Sequence, residues 1–268
     1  MFESEFTSTR TKGGVPPVWC NALFRDVAVS VGCLALSFVL NFFAGNFATK
    51  RAGNSVADLL LDNLPVLDVD LVFIEGSLLL WFFVGALVIA RPERIPFVFK
   101  AMALFILIRS GFIVLTHLGP FPNQSQLDSN SIIRVFTFGG DLFFSGHTGS
   151  SFLMALIFWR YARLRYLFVS YSALFAAAVL LGHLHYSIDV FAAFFISYGI
   201  FDLAKFLFSR EYELFERART WIDRPKVATV SEVAPNFYLA AAHMPGRPDR
   251  LHLTRNQRLE IDPIDVPK

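Results

Sequence analysis

The chain has 268 residues and a formal net charge of +2, is 54% hydrophobic, and carries 31 Phe against only 17% charged residues. With a mean hydropathy of +0.50, this composition excludes an ordinary soluble domain and points to a membrane protein. A bilayer core takes about 20 mostly apolar residues per helix, and six stretches meet or approach that length: 26–48, 71–90, 95–118, 146–161, 166–183 and 187–208.

The opening MFESEFTSTRTKGG is polar and mixed in charge, and the first apolar run is long and lacks an A-x-A-like cleavage site. No secretory signal is therefore expected, and the first helix is retained. Cys20 and Cys33 form no zinc or disulfide pattern and read as structural, with acylation of Cys20 as the alternative. The loop 49–70 (DLLLDNLPVLDVD) is rich in Asp, Leu and Pro and suits a short interfacial turn. Its Asp58, Asp62, Asp68 and Asp70 read as a solvated face, with head-group recognition as the lesser alternative. The third apolar run holds Arg109, about 14 Å below an outer end at residue 118. Pro120 and Pro122 then forbid a continuous helix through 119–140. From residue 209 hydrophobicity drops, and SREYELFERARTWID places Tyr212, Leu214, Phe215, Ala218 and Trp221 broadly on one face, as in an amphipathic helix at a membrane surface.

The resulting expectation is an all-α, six-transmembrane-helix bundle with a polar C-terminal tail. It divides into an N-terminal arm (1–25), a membrane catalytic domain (26–208) and a tail (209–268). Lys and Arg concentrate in the arm, the second and fourth loops and the tail, whereas the opposite loops hold only Lys50, Arg51 and Arg134. The positive-inside rule then places both termini in the cytoplasm and loops one, three and five on the extracytoplasmic or lumenal side.

Ionisable residues in membrane helices are costly unless paired or hydrated, which draws attention to Arg109, His147, His185 and Asp189. All four fall in the outer half of the expected topology. In GHLHYSIDVFAAFF, His185 and Asp189 are spaced i, i+4, so the carboxylate can hold one imidazole nitrogen and raise the basicity of the other. That arrangement makes a nucleophile, and His147 from another helix start suits a general acid. In GGDLFFSGHTGSS, Ser145, Gly146 and Thr148 surround a helix start whose amides and dipole favour a phosphate, while Arg109 adds a forked donor. The set can split a phosphodiester without a metal. Competing readings stay open: His147 as part of a capping turn, the His–Asp pair as a structural tie or a proton relay, and Arg109 as an ion-pair partner of Asp141. Asp141 and His183 read as cap or outer support, and His117 as pocket lining.

GGDLFFSGHT and HLHYSIDV together resemble the paired histidine motifs of the sphingomyelin synthase family, within the wider superfamily of type-2 phosphatidic acid phosphatases. LIRSGFIVLTHLGPFP is similar to that family's Arg-containing third helix, and NLPVLD is faintly similar to its Pro-Leu-Pro-Asp loop motif. The likeness covers residues 55–208 and agrees with six helices.

The resemblance implies a triad of His147, His185 and Asp189. From the residues themselves, Arg109, Ser145, Gly146 and Thr148 are expected to bind the phosphate, with Asp141, His183 and Tyr186 as candidate outer support. His185 attacks phosphorus, Asp189 supports it, and His147 protonates the departing diacylglycerol. The hydrolase branch usually carries a Ser-Arg pair ahead of the second His, where this chain has Ala178 and Val179, and a Lys-x6-Arg-Pro motif that Lys100 and Arg109 do not fit.

The expectation is therefore a cofactor-free and metal-free head-group transferase in a multi-pass membrane protein. It moves phosphocholine, phosphoethanolamine or phosphoinositol from a glycerophospholipid donor to ceramide or a related lipid alcohol, leaving diacylglycerol. A lipid phosphatase or phospholipase C-like hydrolase is the second reading, and a membrane transporter or lipid-binding protein the third. Membrane lipids are the expected partners, with no nucleic acid, and the oligomeric state is open.

Overall fold

The computed structural model describes residues 17–125 and 142–220, with side chains over 21–125 and 142–218. These belong to one compact unit, Met1–Ile222; a second unit, Asp223–Lys268, lies outside the described residues. Among the described residues there is no strand, and seven α-helices follow in order: α1 (Pro17–Lys50), α2 (Gly76–Ile89), α3 (Ile95–Leu115), α4 (Gly146–Ile157), α5 (Ala162–Leu181), α6 (Ser187–Leu207) and α7 (Ser209–Thr220). A π-helical turn, Leu71–Glu75, leads into α2, and a 3₁₀ turn, Pro92–Arg94, leads into α3.

Five segments are long and apolar enough to cross a membrane: Asn21–Lys50, Leu71–Ile89, Pro92–Leu115, Ala162–Leu181 and Ser187–Leu207. The fourth expected span behaves differently. α4 has 12 residues, about 18 Å of helix against a hydrocarbon core of about 30 Å. It ends at Ile157 because the chain turns through 158–161, where Tyr161 N–H donates to Phe158 O before α5 begins.

α3 also stops early, at Leu115 rather than 118. Thr116 is extended, and the chain is drawn to the first outer loop by Gly53 N–H to His117 O and Gly119 N–H to Asn54 O. Arg109 is thus six residues, or about 9 Å, from the helix end, shallower than the sequence suggested.

α4 is the central element, packed between α5 and α6. Its backbone is gripped by hydroxyls from both neighbours: Ser172 Oγ donates to Thr148 O at 2.8 Å and Ser197 Oγ to Gly149 O at 3.0 Å. A serine in an apolar helix gains most by finding a carbonyl on its neighbour. Phe97, Phe105, Phe144, Phe158, Phe168 and Phe175 fill the surrounding core. α1 lies along α3, where Ser110 Oγ donates to Asn41 Oδ1.

The sequence-based amphipathic helix in the tail exists as α7, but its apolar face rests on the bundle. Phe215 is buried against Phe97 and Phe158, and Tyr212 packs on Phe97. Ion pairs Lys100–Glu211, Arg160–Glu216 and Arg210–Asp26 surround that contact. Trp221 lies outside the described residues.

Gly149 marks a close approach between α4, α3 and α6, since a Cβ there would sit 2.9 Å from Ser197 Oγ and 3.0 Å from the Phe105 ring. Gly149→Ala is expected to cost about 1–3 kcal/mol through overpacking, read as a lower unfolding midpoint in detergent. Gly199→Ala, with nothing within 4 Å of its Cβ, is expected to leave the midpoint unchanged or raise it.

Candidate active site

Two helix starts build the site. α6 begins after the turn 182–186, in which His183 takes a left-handed backbone (φ 53°). His185 sits in this turn and Tyr186 is the N-cap, so His185 and Asp189 meet across a helix start and not along a helical face. Their contact is nonetheless direct: His185 Nδ1 lies 3.2 Å from Asp189 Oδ2. The same oxygen accepts the Tyr186 N–H at 3.2 Å. Asp189 is fully buried and His185 is 7% exposed.

α4 begins on a strained turn. Phe144, fully buried, has φ 30°, a backbone that a bulky L-residue adopts only when its surroundings demand it. The demand here is legible: Phe144 O accepts Arg109 Nε at 3.3 Å, and Ser145 then caps the helix, its Oγ accepting Thr148 N–H. Ser145 N–H donates to Asp189 O at 3.0 Å. One backbone hydrogen bond thereby ties the α4 start to the α6 start.

Arg109 reaches this position because Gly146 has no side chain. A Cβ on Gly146 would lie 3.2 Å from Arg109 Nε and 3.5 Å from its Cζ. His147 follows, partly exposed, with its ring 4.1 Å from that of Phe73 and 5.7 Å from that of Phe175. His185 and Arg109 are the ionisable neighbours of the His147 ring. The structure therefore brings together Arg109, Ser145, Gly146, His147, Thr148, His185 and Asp189. Thr148 is buried, and its Oγ1 has no hydrogen-bond partner among the described residues; the same holds for Asp189 Oδ1.

The supporting residues divide. Tyr186 Oη donates to Gly119 O at 2.9 Å and accepts Val56 N–H at 3.2 Å, so this side chain anchors two outer loops. His183 is 3% exposed and its ring lies edge-on to that of Phe121 at 5.1 Å. Asp141 lies outside the described residues.

Asp58 requires a correction, because it is not on a solvated face. It is 7% exposed, and its Oδ2 accepts the Ser187 N–H at 2.7 Å while Oδ1 accepts from Leu60 and Leu61. Burial opposes its charge, but these donors outweigh burial and hold the carboxyl below its ordinary pKa. No spacing rule links residues 129 positions apart, so the sequence carried no signal for this cap. Phe73 and Phe175 were missed for a related reason, since in so Phe-rich a chain two rings beside a histidine do not stand out.

The two helix starts differ in charge. Two carboxylates meet the first amides of α6, whereas α4 has a neutral Ser145 cap and a guanidinium beside it. Helix N-termini attract anions, and of these two α4 is the one whose field is not already answered by acids. Ser145→Ala is expected to cost about 1 kcal/mol and Ser145→Gly only a few tenths, measured as shifts of the unfolding midpoint.

Residues 139–206 match the family model described as PAP2 superfamily C-terminal. No curated protein and no solved structure matches the chain. The matched segment contains α4, α5, α6 short of its last residue and both histidines of the site, and it supports the type-2 phosphatidic acid phosphatase superfamily, whose members typically modify lipids.

Proposed function

We propose that the protein transfers a phospholipid head group, carried on His185, from a glycerophospholipid to ceramide or a related lipid alcohol. The observation that carries this reading is the convergence of a buried His185–Asp189 pair with His147 and Arg109 at the α4 start. With a proton on Nδ1 facing Asp189, the opposite nitrogen of His185 keeps its lone pair.

That nitrogen attacks phosphorus, and the bond to the glyceride oxygen breaks as His147 delivers a proton to it, releasing diacylglycerol. In the second half His147 removes a proton from the acceptor hydroxyl, which attacks phosphorus and frees His185. The charge that grows on the phosphoryl oxygens meets Arg109 and the α4 amides. Absence of the Ser-Arg pair at Ala178 and Val179 favours transfer over hydrolysis. Hydrolysis by the same residues is the second reading, because water that reaches a phosphohistidine replaces the acceptor.

The topology that goes with this reading has six crossings, both termini cytoplasmic and the site on the extracytoplasmic or lumenal face. The basic inner loops support it. So does the register of α4: its outer start is tied to Arg109 and Asp189, while Tyr161, just past its inner end, accepts a hydrogen bond from Arg94. α4 and its flanking turns therefore run between the same two levels as α3.

Purified protein in liposomes, given head-group-labelled phosphatidylcholine, phosphatidylethanolamine or phosphatidylinositol with ceramide, is expected to yield a labelled sphingolipid from one of the donors. Release of free phosphate or free head group with no new lipid would replace transfer by hydrolysis. His185→Ala is expected to lower kcat by about 10²-fold or more, and full activity in that variant would remove His185 as the nucleophile.

A further inference from the structure

His185 lies one residue ahead of the α6 N-cap, so no helical hydrogen bond of α6 fixes it relative to Asp189. Its turn is held from two sides. On the inner side, Leu184 and His185 N–H groups point to Val179 O at the end of α5. On the outer side, residues 53–61 form a strap. Gly53 and Asn54 pair with His117 and Gly119 at the α3 exit, Val56 N–H meets Tyr186 Oη, and Asp58 takes the Ser187 N–H. The strap's fit is tight: a Cβ on Gly119 would lie 2.3 Å from Gly53 O. Leu61, beyond Asp58, is buried with Leu142 and Tyr186.

Asp58 is the only side chain in this strap, among the described residues, that the structure hydrogen-bonds directly to an α6 backbone amide. It and Asp189 divide the helix start between them, Asp189 taking the Tyr186 amide and Asp58 the next one. With two carboxylate oxygens it also satisfies Leu60 and Leu61, so strap geometry and α6 position are set by one group.

We propose that Asp58 is a positioning residue that holds the His185 turn at its contact distance from Asp189, so that the first outer loop belongs to the phosphoryl-transfer machinery. This rests on the head-group transfer or hydrolysis read for the site. Asp58 touches neither histidine and acts through the Ser187 amide. A displacement of the order of 1 Å at a reacting group costs up to about 10²-fold in rate, whereas lipid tails bound elsewhere do not sense it.

The experiment compares wild type, Asp58→Asn and Asp58→Ala, full-length in the same liposomes, with the phospholipid that wild type turns over fastest. Asp58→Ala is expected to lower kcat by about 10-fold or more with KM changed less than about 2-fold, and Asp58→Asn, which keeps one acceptor oxygen, is expected to fall between. Hydrogen exchange in 183–190 is expected to accelerate in Asp58→Ala while exchange in α1 stays at the wild-type rate.

Unaltered kcat in Asp58→Ala, equal loss in kcat and in apparent substrate affinity, or unchanged exchange in 183–190 would each overturn the proposal. If Asp58→Ala does not fold, Asp58→Asn decides on the same three readings. A wild-type protein that turns over no phospholipid would defeat the activity reading instead. The exchange comparison still decides whether Asp58 holds the turn.

Discussion

A carboxylate buried among apolar helices is costly unless donors meet it, and Asp189, with no exposed surface, is met by them on one oxygen. One oxygen gathers His185 Nδ1 and the Tyr186 amide. Asp189 O, on the same residue, accepts the Ser145 amide that begins α4. Losing one partner of a buried charge is expensive, about 3–5 kcal/mol where measured, so the α6 start, the His185 turn and the α4 start are constrained together. Phe144, forced to a positive φ, and Arg109, admitted by Gly146, are adjustments around that fixed point.

The distribution of acids and bases follows from it. Acids meet the α6 amides, Arg109 lies against the α4 start, and His147 has Arg109 and His185 as its ionisable neighbours. In the proposed reaction this places the phosphate at α4, facing a histidine held at α6. Phe73, delivered by a π-helical turn, and Phe175 confine the His147 ring between them; π-helical turns recur at functional sites.

The membrane character, most helix positions and the spatial grouping of His147, His185, Asp189 and Arg109 were legible because each leaves a one-dimensional trace: long apolar runs, glycines around a histidine, and an acid four residues after a histidine. The His185–Asp189 contact was anticipated through the wrong geometry, since the spacing that joins a helical face also joins the residue before an N-cap to the third helical position. The length of α4 was not legible, because Trp159 and Tyr161 continue the apolar run in composition while the backbone turns. Asp58 was illegible in a deeper sense: among four acids in one loop, only the fold decides which one meets Ser187. The destination of the α7 apolar face, bundle or bilayer, likewise depends on partners such as Phe97 and Lys100 that lie far away in the chain.

The central claim is that the head group passes through His185. Brief incubation with phospholipid labelled at phosphorus, followed by alkaline quench and peptide mass spectrometry, tests it most directly. The account predicts an acid-labile, base-stable adduct on the peptide containing His185 that disappears on adding acceptor alcohol and is absent from His185→Ala. Label found on another residue, or turnover with no protein-bound label at any time after mixing, would contradict it.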